Sequence, residues 1–177
     1  MIDIPALETE RLLLRAFRGD DFPAYARLVG DPTVTQFLGD GRALDALDAW
    51  RQMAMFAGHW MLRGFGVWAV EERATGAFVG RIGCFEPEGW PAFEIAYTLS
   101  PAVWGRGYAV EGARAALDHA HTVLGRRGVT SVIRPANARS IHVATRLGAR
   151  FDRVVPFFGD VAHLYVYPDP PEADASP

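Results

Sequence analysis

Apolar positions change their period along this chain, and each change predicts an element. Leu12 to Arg15, inside ETERLLLR, reads as a first strand. Asp20-Asp21 then caps a short helix carrying Phe22, Tyr25, Ala26 and Val29 on one side. After a loop around Asp31-Pro32, the stretch from Ala43 to Leu62 keeps Leu47, Trp50, Ala54, Ala57 and Met61 at helical spacing, with Gly64 just past its end. Gly66 to Val70 and Ala77 to Phe85 flank Thr75-Gly76 and read as a hairpin. An alternating strand from Phe93 to Leu99 leads into a loop with Gly105 and Gly107. The helix that follows, Tyr108 to Leu124, keeps Ala109, Ala113, Ala116 and Ala120 on one face, small enough to approach a sheet closely. A strand from Val129 to Arg134, a helix from Ala138 to Leu147 stopped by Gly148, and strands Phe151 to Phe157 and Val161 to Tyr167 complete the series.

That order, an antiparallel meander ahead of one strand–helix–strand crossover, predicts an α+β (mixed α/β) fold. Its mixed, mostly antiparallel sheet has about seven strands and helices on both faces. At 177 residues, half of them hydrophobic, the chain suits one domain with a real core. We expect that domain to cover residues 1–168. The end, PDPPEADASP, holds four prolines and no large apolar side chain, so 169–177 is expected to be a disordered tail. Net charge is -3 and no Lys/Arg-rich run occurs, which argues against a nucleic-acid surface. The single cysteine, Cys84, rules out a disulfide within the chain and reads as a buried, inert thiol. No apolar run reaches signal-peptide or membrane-spanning length, so a cytoplasmic protein with no membrane partner is expected.

The densest chemistry lies in SPAVWGRGYAVEGARAALDHA, residues 100–120. Gly105 and Gly107 let the backbone turn tightly and leave its N–H groups unshielded. The helix behind them adds unpaired first-turn N–H groups and the positive end of its dipole. Together they form a socket for a phosphate or pyrophosphate, with Arg106 adding a positive charge. Tyr108-Ala109 lacks the Lys and Ser/Thr of a P-loop, and Val110 replaces the third glycine of a dinucleotide fingerprint.

The segment resembles the acetyl-CoA pyrophosphate loop of the GNAT superfamily of N-acetyltransferases, Arg/Gln-x-x-Gly-x-Gly/Ala. Here the string runs Trp104-x-x-Gly107-x-Ala109 after Pro101, with Trp104 where Arg or Gln is usual. It is similar to the WGxGYA variant of the RimJ/RimL-like branch, which acetylates ribosomal-protein N-termini. The resemblance extends from Glu8 to about Tyr167, loosely in the first half and specifically in the second. It implies acetyl-CoA as co-substrate, no metal, and a pair of splayed parallel strands, Phe93 to Leu99 and Val129 to Arg134, that hold CoA. The loop residues Trp104, Gly105, Arg106, Gly107, Tyr108 and Ala109 would bind the pyrophosphate. Backbone groups of Tyr97, Thr98 and Leu99 would bind the thioester carbonyl and pantetheine.

A second string, NARSIHVATRLGAR (137–150), resembles the family's Asn-x-x-Ser … Leu-Gly-Phe, with Ala149 at the usual phenylalanine. Asn137 as a helix N-cap, Ser140 at the third helical position and Leu147-Gly148 as a common helix ending would explain all of it without catalysis. The resemblance implies more: Asn137 bonding the pantetheine arm, and Ser140 protonating the departing thiolate. Glu94, a carboxylate on an apolar strand, either lies on an exposed sheet face or lines a cleft, and it is the candidate base. Its face is shared by Ala96 and Thr98. His119 and His121 are two apart and point to different helix faces, so they make no zinc pair. His59, His142 and His163 stand alone, although His163 could line the acceptor cleft. The expected reaction is direct attack of a primary amine on acetyl-CoA, with a peptide N-terminal α-amine favoured and a small amine possible. A transferase for another acyl-CoA and a non-catalytic acyl-CoA sensor are the alternatives. The helix with Trp50, Met53, Trp60 and Met61 packs internally, shapes the acceptor pocket or touches a second subunit, so monomer and homodimer both stay open.

Overall fold

The computed structural model describes residues 3–171. Eight strands form one sheet in the order β1-β2-β3-β4-β5-β6-β8-β7. In chain order they are β1 (Leu7–Glu8), β2 (Leu12–Arg15), β3 (Val67–Glu72), β4 (Ala77–Phe85), β5 (Glu94–Leu99), β6 (Thr130–Ile133), β7 (Arg150–Phe157) and β8 (Asp160–Val166). Five α-helices accompany them: α1 (Phe22–Val29), α2 (Pro32–Thr35), α3 (Ala46–Arg63), α4 (Tyr108–Thr122) and α5 (Ala138–Arg146). Every neighbouring pair is antiparallel except β5 and β6, which run parallel. The α+β architecture expected from the sequence is therefore present. The strand beyond the expected seven is β1, two residues too short to leave a periodic signal.

Helices cover both faces. On one, Ala113, Ala116 and Ala120 of α4 are fully buried against Ile82, Ile95 and Cys84. A side chain at Gly112 would meet Ile82 Cδ1 at 2.5 Å, so small residues set how closely this helix lies on the sheet. On the other face, α1 and α3 enclose Tyr25, Val29, Ala49, Met53 and Phe56 over Val67 and Phe85.

Several details differ from the sequence reading. α3 starts at Ala46 rather than Ala43, because Asp45 takes the capping position and accepts the Asp48 N–H at 2.8 Å. It buries Ala49, Met53, Phe56 and Trp60, whereas Leu47, Trp50 and Met61 of the periodic stripe are exposed. Two stripes of similar apolarity run along this helix, and the aromatic one fits the sheet. At α1, Asp21 occupies the capping position without capping; its carboxylate instead binds Arg15 through two bonds of 2.8 Å. The loop around Asp31-Pro32 contains the short helix α2. Of the expected tail, residues 172–177 lie outside the described residues, while Asp169 accepts the Gly128 N–H at 2.8 Å. No helix among the described residues is long and apolar enough to cross a membrane.

Candidate active site

The parallel strands β5 and β6 pair at one position, Glu94 opposite Thr130, and then part. The Thr130 N–H donates to the Phe93 carbonyl at 3.1 Å, so odd-numbered residues of β5 point their backbone groups toward β6. A continued ladder would bring the Val132 N–H to the Ile95 carbonyl. Instead Val132 donates to Glu94 Oε2 at 2.9 Å, and Ser131 Oγ donates to the Ile95 carbonyl at 2.6 Å. Side chains thus close the ladder, and beyond them the N–H groups of Tyr97 and Leu99 face an open gap. Thr98 bonds toward β4, opposite Arg81, and brings a buried Oγ1 that has no partner among the described residues.

A cleft of about 1120 Å³ runs through the gap and out past the Gly-rich turn. Gly105 and Gly107 adopt φ values of 75° and 81°, a region that side chains disfavour, and a Cβ at Gly105 would meet nothing within 4 Å. The first α4 hydrogen bond runs from the Glu111 N–H to the Gly107 carbonyl, which leaves the N–H groups of Tyr108, Ala109 and Val110 free. Trp104 closes the turn: its Nε1–H donates to the Leu99 carbonyl at 2.8 Å. Arg106 points away, paired with Glu72 at 2.9 Å, and it does not line the cleft. Tyr108 lines the cleft with its ring and donates its hydroxyl to Glu72 at 2.6 Å.

Two arginines that the sequence reading did not single out, Arg139 and Arg146, reach this cleft. Arg139, His142, Val143 and Arg146 line it from one face of α5, and Arg139 stacks over Trp104 at 4.1 Å. Their i, i+3, i+4, i+7 spacing was legible, but nothing in the string said which face would meet the loop. Phe37 and Leu38, after α2, also line it, and no sequence signal marked them.

A second pocket of about 260 Å³ lies on the other side of β5, and it contains Glu94. The two cavities share a wall made by Phe37, Leu38, Tyr97, Thr98, Asn137 and Ser140. Glu94 is buried, and burial pushes its carboxyl up to about 7 against the opposing pull of the Val132 N–H, Trp90 and Arg81. Trp90 Nε1–H donates to Glu94 Oε1 at 3.0 Å. Asn137 caps α5 by accepting the Ser140 N–H at 3.2 Å. The Ser140 carbonyl accepts from the Tyr97 hydroxyl at 2.9 Å, and Ser140 borders both cavities. Burial raises the Tyr97 phenol well above its usual range, so it stays protonated.

The remaining candidates are structural. His59 is buried, with Nδ1 on the Phe65 carbonyl at 2.7 Å and Nε2 receiving the Glu86 N–H at 3.3 Å. His163 packs on Phe151 and lines neither cavity. Cys84 is buried on β4, and burial pushes its thiol up to about 12, so no thiolate forms near neutrality.

A sheet opened between two parallel strands, with a Gly-rich turn and a bare helix start at the mouth of the opening, defines a transferase that draws an acyl group from coenzyme A. The chain belongs to the GNAT acetyltransferase family, whose acetyltransferase (GNAT) domain matches residues 11–150. It is an acetyltransferase, and the reaction of the family is acyl transfer from acetyl-CoA. An acetyltransferase from Agrobacterium tumefaciens str. C58 is 32% identical and superposes with a TM-score of 0.84, covering 96% of this chain and 97% of that one. The Bacillus subtilis (strain 168) protein YkkB is 31% identical over 157 residues, 84% of this chain and 87% of its own length. RimL, a ribosomal L7/L12 alpha-N-protein acetyltransferase solved with coenzyme A, shares the fold at a TM-score of 0.73 and 19% identity, with 92% of this chain and 96% of that chain covered.

Proposed function

We propose that this acetyltransferase moves the acetyl group of acetyl-CoA onto the α-amino group of its acceptor, by direct attack and without a covalent enzyme intermediate. The observation that carries this reading is the wall shared by two cavities, one reaching the Gly-rich turn and the other holding Glu94. Donor and acceptor would meet across Thr98, Asn137 and Ser140.

The chain's own groups suit acetyl-CoA. Free N–H groups at the start of α4 and the open backbone at Gly105 and Gly107 fit a pyrophosphate. Arg139 and Arg146 add charge for phosphate oxygens, and the unpartnered Thr98 hydroxyl with the Tyr97 and Leu99 N–H groups fits the amide-bearing arm. Bound there, acetyl-CoA supplies the electrophilic thioester. The backbone N–H groups of β5 then stabilise charge on the carbonyl oxygen. Glu94 takes a proton from the amine, directly or through a water, as the N–C bond forms. Ser140 Oγ gives its proton to the sulfur as the C–S bond breaks.

An α-amine suits this site. With a pKa of about 8 it is roughly 10% neutral at pH 7, a deprotonation of about 1.4 kcal/mol. A lysine at about 10.4 would cost about 4.6 kcal/mol, much for a carboxylate whose oxygens already accept two hydrogen bonds. The likeness to RimJ/RimL-like enzymes favours a peptide N-terminus. The test is CoA release against N-terminal peptides, N-blocked lysine peptides and small amines. A preference for α-amines is expected, and a preference for the N-blocked lysine peptides would overturn the assignment.

A further inference from the structure

Arg81 lies on β4 with 7% of its surface exposed, yet its guanidinium takes part in no ion pair among the described residues, and the neutral Tyr25 hydroxyl lies beside it. Its Nε is buried with no partner among the described residues, and the guanidinium lies over the face of Phe56 at 4.7 Å. A buried charge left in this state is costly, and one with five fixed donors is built to receive an anion.

The cross-strand row containing Arg81 sharpens the point. Register places Arg15, Ala69, Arg81 and Thr98 side by side across β2 to β5. Arg15 is equally buried, but Asp21 and Glu71 bind it at 2.8 and 2.7 Å. No carboxylate forms an ion pair with Arg81 among the described residues. Arg134, the other arginine of the acceptor pocket, is already paired with Asp160 at 2.8 Å. Glu94 shares this pocket and feels the Arg81 charge, but its two oxygens accept from Trp90 and Val132 rather than from Arg81. Gln52 sits beside Arg81 in the pocket; its carbonyl accepts from the Tyr25 hydroxyl, and its NH2 makes no bond among the described residues.

We infer that Arg81 is an acceptor-binding residue, and that the acceptor is a primary amine carrying a carboxylate close to that amine. Arg81 takes the carboxylate, aided by the Gln52 amide. The amine then lies near Thr98, the cross-strand partner of Arg81, at the wall shared with the donor cleft. The rest of the acceptor extends among Phe85, Trp90 and Phe157, which favours an aromatic or apolar side chain. A free amino acid and the N-terminus of a short acidic peptide both carry this chemistry. The inference rests on the α-amine reading above and narrows it.

The experiment compares phenylalanine, phenylalanine amide, and Phe-Asp and Phe-Asn dipeptide amides as acceptors for the wild type, Arg81→Gln and Arg81→Lys. The amide's amine is the less basic, so reactivity alone favours the amide. We expect kcat/KM for phenylalanine to exceed that for its amide roughly 10–100-fold in the wild type. That preference should vanish in Arg81→Gln, survive in part in Arg81→Lys, and leave the KM for acetyl-CoA unchanged. A preference for Phe-Asp amide over Phe-Asn amide, lost in Arg81→Gln, would support the same pairing with a peptide as the source. A wild type that treats acid and amide alike in both pairs would overturn the inference. Binding is read separately, from the rise in melting temperature caused by phenylalanine in the absence of acetyl-CoA. If acetyl-CoA binds but no amine is acetylated, the α-amine reading fails, and Arg81 is judged by this shift alone. A shift in the wild type that Arg81→Gln abolishes sustains the anion site, and no shift in the wild type refutes it.

Discussion

The carboxylate of Glu94 accepts the backbone N–H of Val132 at 2.9 Å, and this bond sits where the parallel strands β5 and β6 come apart. One side chain therefore closes the frayed end of the ladder and lines the second pocket. The combination accounts for a carboxylate persisting in a buried place: it satisfies a backbone donor that would otherwise be orphaned.

That burial makes Glu94 sensitive to pH. Its carboxyl rises from 4.5 to about 7 in the fold, so the protonated form is favoured there. The associated stability is fully present below pH 4.5 and is lost as pH rises through about 7, a change of roughly 3 kcal/mol. Glu94→Gln should flatten the fall of melting temperature over this window. As a base, Glu94 works only when ionised, so kcat should rise through about pH 7 and the Gln variant should lose that limb. An unchanged pH–rate profile in Glu94→Gln would remove Glu94 from the proton path.

At the Gly-rich turn, Gly107→Val places a branched side chain at a φ of 81° and about 3.4 Å from Arg11 Nη2. CoA affinity should fall several-fold or more by calorimetry on folded protein. Arg106→Ala should do less, since that guanidinium is paired with Glu72 and turned from the cleft. Retained affinity in Gly107→Val would remove the turn from the binding site.

Ser140 offers a clean separation of structure from chemistry. The α5 cap uses the Ser140 N–H and the Asn137 side chain, not the Ser140 hydroxyl. Ser140→Ala should hold its melting temperature while turnover falls roughly 10²–10⁴-fold. Asn137→Ala should instead lower stability by about 1 kcal/mol. Full turnover in Ser140→Ala would dismiss it as the acid.

Arg139 and Arg146 should each contribute a salt-sensitive share of CoA binding, because charges at an open cleft are screened. Titrations of Arg139→Ala at low and high salt should converge toward the wild-type value as salt rises. A deficit independent of salt would point to loss of the Trp104 stack instead.

Much of this was written in local patterns. The alternation in Phe93 to Leu99, the two glycines and the small face of α4 each depend on residues close together in the chain, so the order of elements and the turn at the cleft mouth could be read directly. Three things depended on packing. Both apolar stripes of α3 have helical period, and only the shape of the sheet beneath chose Met53, Phe56 and Trp60 over Leu47, Trp50 and Met61. Arg106 sits in the right string for a phosphate, yet Glu72, distant in sequence, turns it away. Arg81 looks like any strand arginine until the register sets it beside Thr98, while Asp21 and Glu71 pair with Arg15. Local periodicity sets which backbone conformation a segment adopts, whereas the partner of a charge is decided by strands that meet only after the sheet has formed.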